Sequence, residues 1–469
     1  MPNGGPETPA VRWALISLSL SMLLSSLGTS IANVGLPTLA HAFNASFQQV
    51  QWVVIAYLLA ITTLIVSVGR LGDVMGRRRL MLAGIGLFTM ASGLCAIAPT
   101  LWLLIAGRVL QGLGAAIMMV LTMAMVGETV SKAKTGSAMG LLGTMSAVGT
   151  ALGPTLGGFL ITGLGWPALF LINLPLGILT YVLAHRFLPQ DHTGAKGTLV
   201  KFDLMGTALL AMTLAAYALA MTIGRGSFSQ INIALLLLAV IGLGLFIFTE
   251  QRSQDPLVRM ATFQNAVLSA GFAMSALVTT VVMATLVVGP FYLVGALGLD
   301  PSQVGLVMSS GPIVAALTGA PAGRLVDRVG VYQMSIAGLI GMAIGAFTMA
   351  LLPLAFGIAG YVVPLAAITG GYALFQAANN TAVMTQIQPQ QRGVISGILN
   401  LSRNLGLITG ASVMGAVFAL GASTANLLTA SPNSIESGMR LTFAVAAGLI
   451  LIALAVAFLA QTLLSRTSD

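Results

Sequence analysis

Two arginines stand inside long apolar stretches of this sequence, where a charge is costly and is a functional hypothesis by default. Arg108 is followed by Gln111 and Gly112 at i+3 and i+4, which puts the three on one helical face. Arg403 lies between Asn400 and Asn404. A guanidinium stays protonated and presents a planar fork of donors. The chemistry available to these positions is therefore recognition of an anion or of hydrogen-bond acceptors. Thr29 and Asn33 early in the chain, and Gln376, Asn379 and Asn380 later on, add uncharged polar groups that could line the same space. Hydrogen bonding between neighbouring helices is the competing use of such groups.

Catalysis has little to work with. The eleven carboxylates and three histidines all fall in loops or at the ends of apolar stretches, and Cys95 is the single cysteine. No His, Cys and carboxylate cluster is left in the apolar interior to move a proton or hold a metal, so an enzyme, a metal site and a cofactor are not expected.

The elements that must position these groups are membrane spans. Of 469 residues, 57% are apolar and 7% charged, against about 25% charged in a soluble domain. A span needs ~20 mainly apolar residues, and reading for such runs predicts fourteen, from 13–35 to 440–464, including 136–161 and 303–322. The first run, from Trp13, is too long for the core of a cleaved signal peptide. With the N-terminus inside, sixteen of the twenty Lys and Arg residues fall on the cytoplasmic side, and Arg225 and Arg440 fall outside. That asymmetry predicts both termini in the cytoplasm. The net charge of +9 is spread through short gaps between spans, so it does not indicate nucleic-acid binding.

One repeat is visible by eye. Gly69-Arg70-Leu71-Gly72-Asp73-Val74-Met75-Gly76-Arg77-Arg78-Arg79 follows the second predicted span, and Gly323-Arg324-Leu325-Val326-Asp327-Arg328-Val329-Gly330 follows the tenth. Asp73 can pair with Arg77 if the segment is helical. Gly149, Gly153 and Gly157 in the fifth span allow close helix approach, and Pro154 permits a bend. Together with Arg108-x-x-Gln111-Gly112, the Gly149–Gly158 stretch, Ala32–Pro37, Gln51-Trp52 with Tyr57, Gly165-Trp166 through Pro175, and Ser402–Gly406, these motifs occur in an order that resembles the major facilitator superfamily, specifically its fourteen-helix drug:proton antiporter branch.

The resemblance implies an all-α polytopic membrane protein with two six-helix bundles, 1–188 and 259–469, joined by a linker at 189–258 that carries two additional helices. It implies efflux of drugs or small amphiphilic metabolites, proton-linked, by alternating access, from a monomer in a bacterial inner membrane. Uptake or uniport of a small anionic or neutral solute, and a receptor without transport, are the alternatives. Arg108, Gln111, Asn33, Thr29, Gln376, Asn380 and Arg403 are the expected substrate-binding residues. Gly69, Asp73, Gly76, Arg77, Arg78, Gly153, Pro154, Gly157 and Asp327 are expected to govern the conformational change. The branch commonly carries an acid in the first span where this chain has Gly28. A proton would then travel on the substrate or through a boundary acid, Glu128 or Asp73, and an unpaired Arg108 would favour anionic, zwitterionic or acceptor-rich substrates. Topology reporters fused near Ala195 and near Ser227 are expected to report opposite sides of the membrane; the same side for both would remove the two additional helices from the count.

Overall fold

The computed structural model describes residues 9–65, 67–130, 135–191, 204–223, 229–253, 263–351, 354–385, 392–423 and 430–468. Regular structure among them is helical. Helices α1 (Pro9–Val34), α2 (Leu36–Ala42), α3 (Phe47–Ile65), α4 (Val68–Met75), α5 (Arg77–Ala96), α6 (Leu101–Thr129), α7 (Thr135–Leu164), α8 (Ala168–Leu171) and α9 (Asn173–Phe187) form the first group. A hairpin of α10 (Leu204–Thr222) and α11 (Gln230–Arg252) follows. The second group is α12 (Ala266–Gly295), α13 (Pro301–Val329), α14 (Val331–Leu351), α15 (Gly357–Thr385), α16 (Arg392–Thr409), α17 (Gly415–Gly421) and α18 (Pro432–Ser468). A π turn at Gly410–Met414 joins α16 to α17.

Among the described residues, twelve helices are long and apolar enough to cross a membrane, or thirteen if the pieces Pro301–Gly319 and Pro321–Val329, bent by 45°, count as one span. The expected span 136–161 falls in α7, whose apolar part is Val148–Leu164. Length and composition therefore stop short of the fourteen spans read from the sequence. The break expected at Pro99-Thr100 is present: Thr100 caps α6 by accepting from the Leu103 N–H at 3.3 Å.

The sequence repeat has one conformational meaning. Gly76 (φ +91°) separates α4 from α5, and Gly330 (φ +111°) separates α13 from α14. In both copies the final glycine turns the chain through a region that side-chain-bearing residues rarely adopt.

Helix α7 is the seam between the two groups. On one face Gly153 and Gly157 admit α1, where added Cβ atoms would lie 2.0 Å from Ser30 Oγ and 2.6 Å from Val34 Cγ1. On another face Gly158 meets α13, where a Cβ would lie 2.4 Å from the Pro301 carbonyl oxygen. A Cβ on Gly305 would be 2.5 Å from the Pro154 carbonyl oxygen. Lipid tails are as apolar as the helices, so association in the bilayer depends on such close packing. Asp300 fixes the start of α13 as its N-cap, accepting from the Gln303 N–H at 2.9 Å. The Ser302 hydroxyl, and then that bond, lower the Asp300 pKa.

Among the described residues, further side-chain contacts between the groups lie at the same end. Phe47 of α3 meets Phe291 of α12 (4.6 Å between centroids) and Phe418 of α17 (5.6 Å). Thr155 of α7 bonds Ser309 of α13. At the other end, which carries Arg77–Arg79, a Cβ on Gly319 or Gly323 of α13 would meet nothing within 4 Å. A Thr155→Cys/Ser309→Cys pair in a Cys95→Ser background is expected to cross-link spontaneously on mild oxidation, and adding Gly158→Leu is expected to abolish the cross-link. Unchanged cross-linking with leucine at 158 would contradict this seam.

Candidate functional site

The structure separates the two intramembrane arginines. Arg108 lies in α6, 0% exposed, and each of its nitrogens is used. Nε donates to the Val53 carbonyl (2.8 Å), Nη1 to Gln111 Oε1 (2.5 Å) and Nη2 to the Gly28 carbonyl (3.0 Å). Its guanidinium also lies 4.0 Å from the Tyr57 ring centroid, a favourable cation–π geometry. Gln111 Nε2 passes the network on to Ser92 Oγ at 2.7 Å. Gly28 offers Arg108 a backbone carbonyl in place of a carboxylate, and a Cβ there would lie 2.9 Å from Tyr57 Oη. That hydroxyl donates to the Ser25 carbonyl at 2.8 Å.

Asn33 turns back on its own helix. Its Nδ2 donates to the Thr29 carbonyl at 3.0 Å, and its Oδ1 is buried with no partner among the described residues. The Thr29 side chain is half-buried.

Arg403 sits in α16 in a different setting. It is half-buried and donates to Asn380 Oδ1 of α15. Tyr372, Gln376 and Asn380, all half-buried, recur every four residues and so form one stripe along α15. Asn379 points away, donating to the Gly271 carbonyl of α12 at 3.1 Å. Of the expected substrate-binding residues, then, Arg108 joins Gln111, and Arg403 joins Asn380, with Gln376 on the same stripe. The two arginines do not meet.

The loop at 69–79 supplies a contact that sequence reading missed. Asp191, just beyond α9, receives the backbone N–H groups of Arg78 (2.8 Å to Oδ1) and Arg79 (3.2 Å to Oδ2). It thereby caps α5 from outside, where the helix carries partial positive charge. Gly76 makes room for it, because a Cβ there would lie 2.5 Å from Asp191 Oδ2. Arg78 also donates to the His185 carbonyl. Gly69 and Asp73 lie in α4 and Glu128 in α6, while the side chains of Asp73 and Glu128 lie outside the described residues. Asp327 is exposed. Glu250, read as a span-end acid, is 2% exposed near the end of α11.

These features can be set beside known proteins. The sequence matches the Major Facilitator Superfamily over residues 18–411 and again over 268–468. The chain belongs to that superfamily. It is 30% identical over 409 residues to the riboflavin transporter RibZ of Clostridioides difficile (strain 630), covering 87% of this chain and 88% of the relative. It is 31% identical over 416 residues to the multidrug resistance protein Stp of Mycobacterium tuberculosis, covering 86% and 75%. The inward-facing crystal structure of a bacterial homologue of the human lysosomal transporter Spinster superposes with a TM-score of 0.69 at 16% identity, over 97% of this chain and 98% of that one.

The superfamily resemblance carried by the sequence motifs is borne out, and with it a helical multi-pass membrane transporter rather than an enzyme. What the motifs left unsaid is how their polar members are used. Gln51 of the Gln51-Trp52 pair crosses to the second group, donating to the Ala411 carbonyl in the π turn at 2.8 Å. Trp52 Nε1 donates to Thr222 Oγ1 of α10 at 3.0 Å. A π turn shifts the hydrogen-bond ladder and frees a carbonyl, which is a partner no sequence spacing announces. Arg108→Lys keeps the charge but cannot reach three separate acceptors, each costing about 1–3 kcal/mol if left unpaired. It is expected to lower the melting temperature of the purified protein markedly; a wild-type melting temperature would show that the network is dispensable.

Proposed function

We propose that the protein exports drugs or small amphiphilic metabolites across a bacterial inner membrane by proton-linked alternating access, as a monomer of the fourteen-helix antiporter branch. The arginine-bearing end, with both termini, is assigned to the cytoplasm by the positive-inside rule. On that assignment the described contacts between the halves seal the outer end, and the conformation faces inward. The observation that carries the reading is the double role of α7. The exporter-like stretch Gly149–Gly158 packs α1 through Gly153 and Gly157 and packs α13 through Pro154 and Gly158. The residues that resemble an export signature are therefore those on which the two halves close.

In this reading 1–188 and 259–469 rock against each other, and α10 and α11 of the 189–258 segment brace the seam. Tyr217 of α10 donates to Thr409 Oγ1 of α16 at 3.1 Å, and Ser67 shares a 3.0 Å hydrogen bond with Thr207. Gly69, Asp73, Gly76, Arg77, Arg78 and Asp327 act at the inner end, and Glu128 or Asp73 relays the proton. The likeness to a multidrug resistance protein supports drug efflux, and the likeness to a riboflavin transporter supports a small aromatic metabolite. Everted vesicles supplied with ethidium or riboflavin are expected to accumulate at least one of them, and to lose it when nigericin collapses the pH gradient. Accumulation confined to right-side-out vesicles would favour uptake and overturn the export reading.

A further inference from the structure

Arg403 is a cation inside an apolar span that pairs with no carboxylate among the described residues. It lies six residues into the apolar span Gly397–Gly421, or ~9 Å along the axis at 1.5 Å per residue, within a ~30 Å hydrocarbon core. The helices that touch α16, namely α3, α10, α12 and α15, contain no Asp or Glu, and neither does α16 itself. Arg108 has three acceptors and an aromatic face, whereas Arg403 has one acceptor among the described residues, the Asn380 side chain. Arg403 is also half-buried rather than sealed. A half-exposed guanidinium at this depth faces an aqueous or ligand-filled space, because hydrocarbon does not solvate it.

Its position is held firmly. Thr279 of α12 donates to the Arg403 carbonyl at 3.1 Å, and Gly406, one turn on, has no room for a Cβ beside the same helix, with Thr279 Oγ1 2.0 Å away. Asn380 orients one edge of the fork and leaves the rest of its donors free. Gln376 and Tyr372 extend the polar stripe one and two turns further along α15.

We infer that Arg403, oriented by Asn380 and flanked by Gln376, is an organic-anion site: it binds the carboxylate, sulfonate or equivalent anionic group of an amphiphilic substrate. The bound anion supplies the counter-charge the surrounding helices lack. Arg108 is left to hold the first bundle together. This inference rests on the transport reading above and gives it a substrate class.

The test uses two xanthene dyes of similar size and opposite charge, anionic fluorescein and cationic rhodamine 6G, with purified protein in lipid nanodiscs. By fluorescence anisotropy, Arg403→Gln is expected to weaken fluorescein binding tenfold or more, with Arg403→Lys intermediate and rhodamine 6G unaffected. Asn380→Asp, which places a carboxylate against the guanidinium without removing it, is expected to cause the same loss. Should either variant fail to fold, the wild type itself gives the answer. Phenylglyoxal, followed by mass spectrometry, is expected to modify Arg403 but not Arg108, and fluorescein is expected to protect Arg403. No fluorescein binding to the wild type, equal binding by the variants, equal loss of both dyes, or no protection would each overturn the inference. Fluorescein binding through Arg403 without accumulation in everted vesicles would leave the site standing and remove the export reading.

Discussion

A guanidinium cannot be left unpaired in hydrocarbon, and the first bundle is arranged around that constraint. Arg108 draws one carbonyl from α1, one from α3 and an amide from its own helix, while Gln111 reaches Ser92 of α5. Four helices thereby converge on one charge. Tyr57 closes the remaining side with its ring and spends its hydroxyl on the Ser25 carbonyl. The absence of an acid at position 28 fits this geometry. The backbone there serves as acceptor, and the space a side chain would need is taken by Tyr57. Positive charge is met with oriented dipoles and a π face, and no proton is needed to neutralise it.

The second constraint is close approach. Transport between two bundles requires faces that pack tightly and can part, and glycine faces satisfy both because they carry little interdigitated side-chain bulk. Gly158 and Gly305 meet backbone to backbone across the seam, while Gly153 and Gly157 bind α7 to its own bundle. Polar contacts across the seam are few and local, among them Gln51 to Ala411 and Thr155 to Ser309. The α10–α11 hairpin touches the first group through Thr207, which bonds Ser67, and Thr222, which accepts from Trp52, and touches the second through Tyr217, which donates to Thr409.

The repeat motif at 69–79 has a further anchor in Asp191. Its carboxylate sits on the exposed N–H groups of α5, next to a glycine whose missing Cβ and positive φ both matter. The segment leaving α9 is thus tied to residues 69–79. This contact spans more than a hundred residues of sequence, and Asp191 carries no motif of its own.

Hydropathy and charge placement were enough to read a polytopic helical membrane protein, because a bilayer admits few ways to satisfy a backbone and those ways leave long apolar runs. The repeat at 69–79 and 323–330 was equally legible, since Gly76 and Gly330 serve a local backbone need that does not depend on the rest of the fold. The use of each polar side chain was not legible. Arg108 and Arg403 look alike in sequence, each a lone arginine in an apolar helix with amide side chains at helical spacing. Only packing distinguishes them: one is enclosed by three acceptors contributed by distant or neighbouring turns, and the other is left half open beside Asn380. Periodicity fixes the face a residue takes on its own helix. Which helix meets that face, and whether any donor is left over, is decided by the tertiary structure, because backbone carbonyls, the acceptors that matter most here, are present at every residue and leave no mark in the sequence.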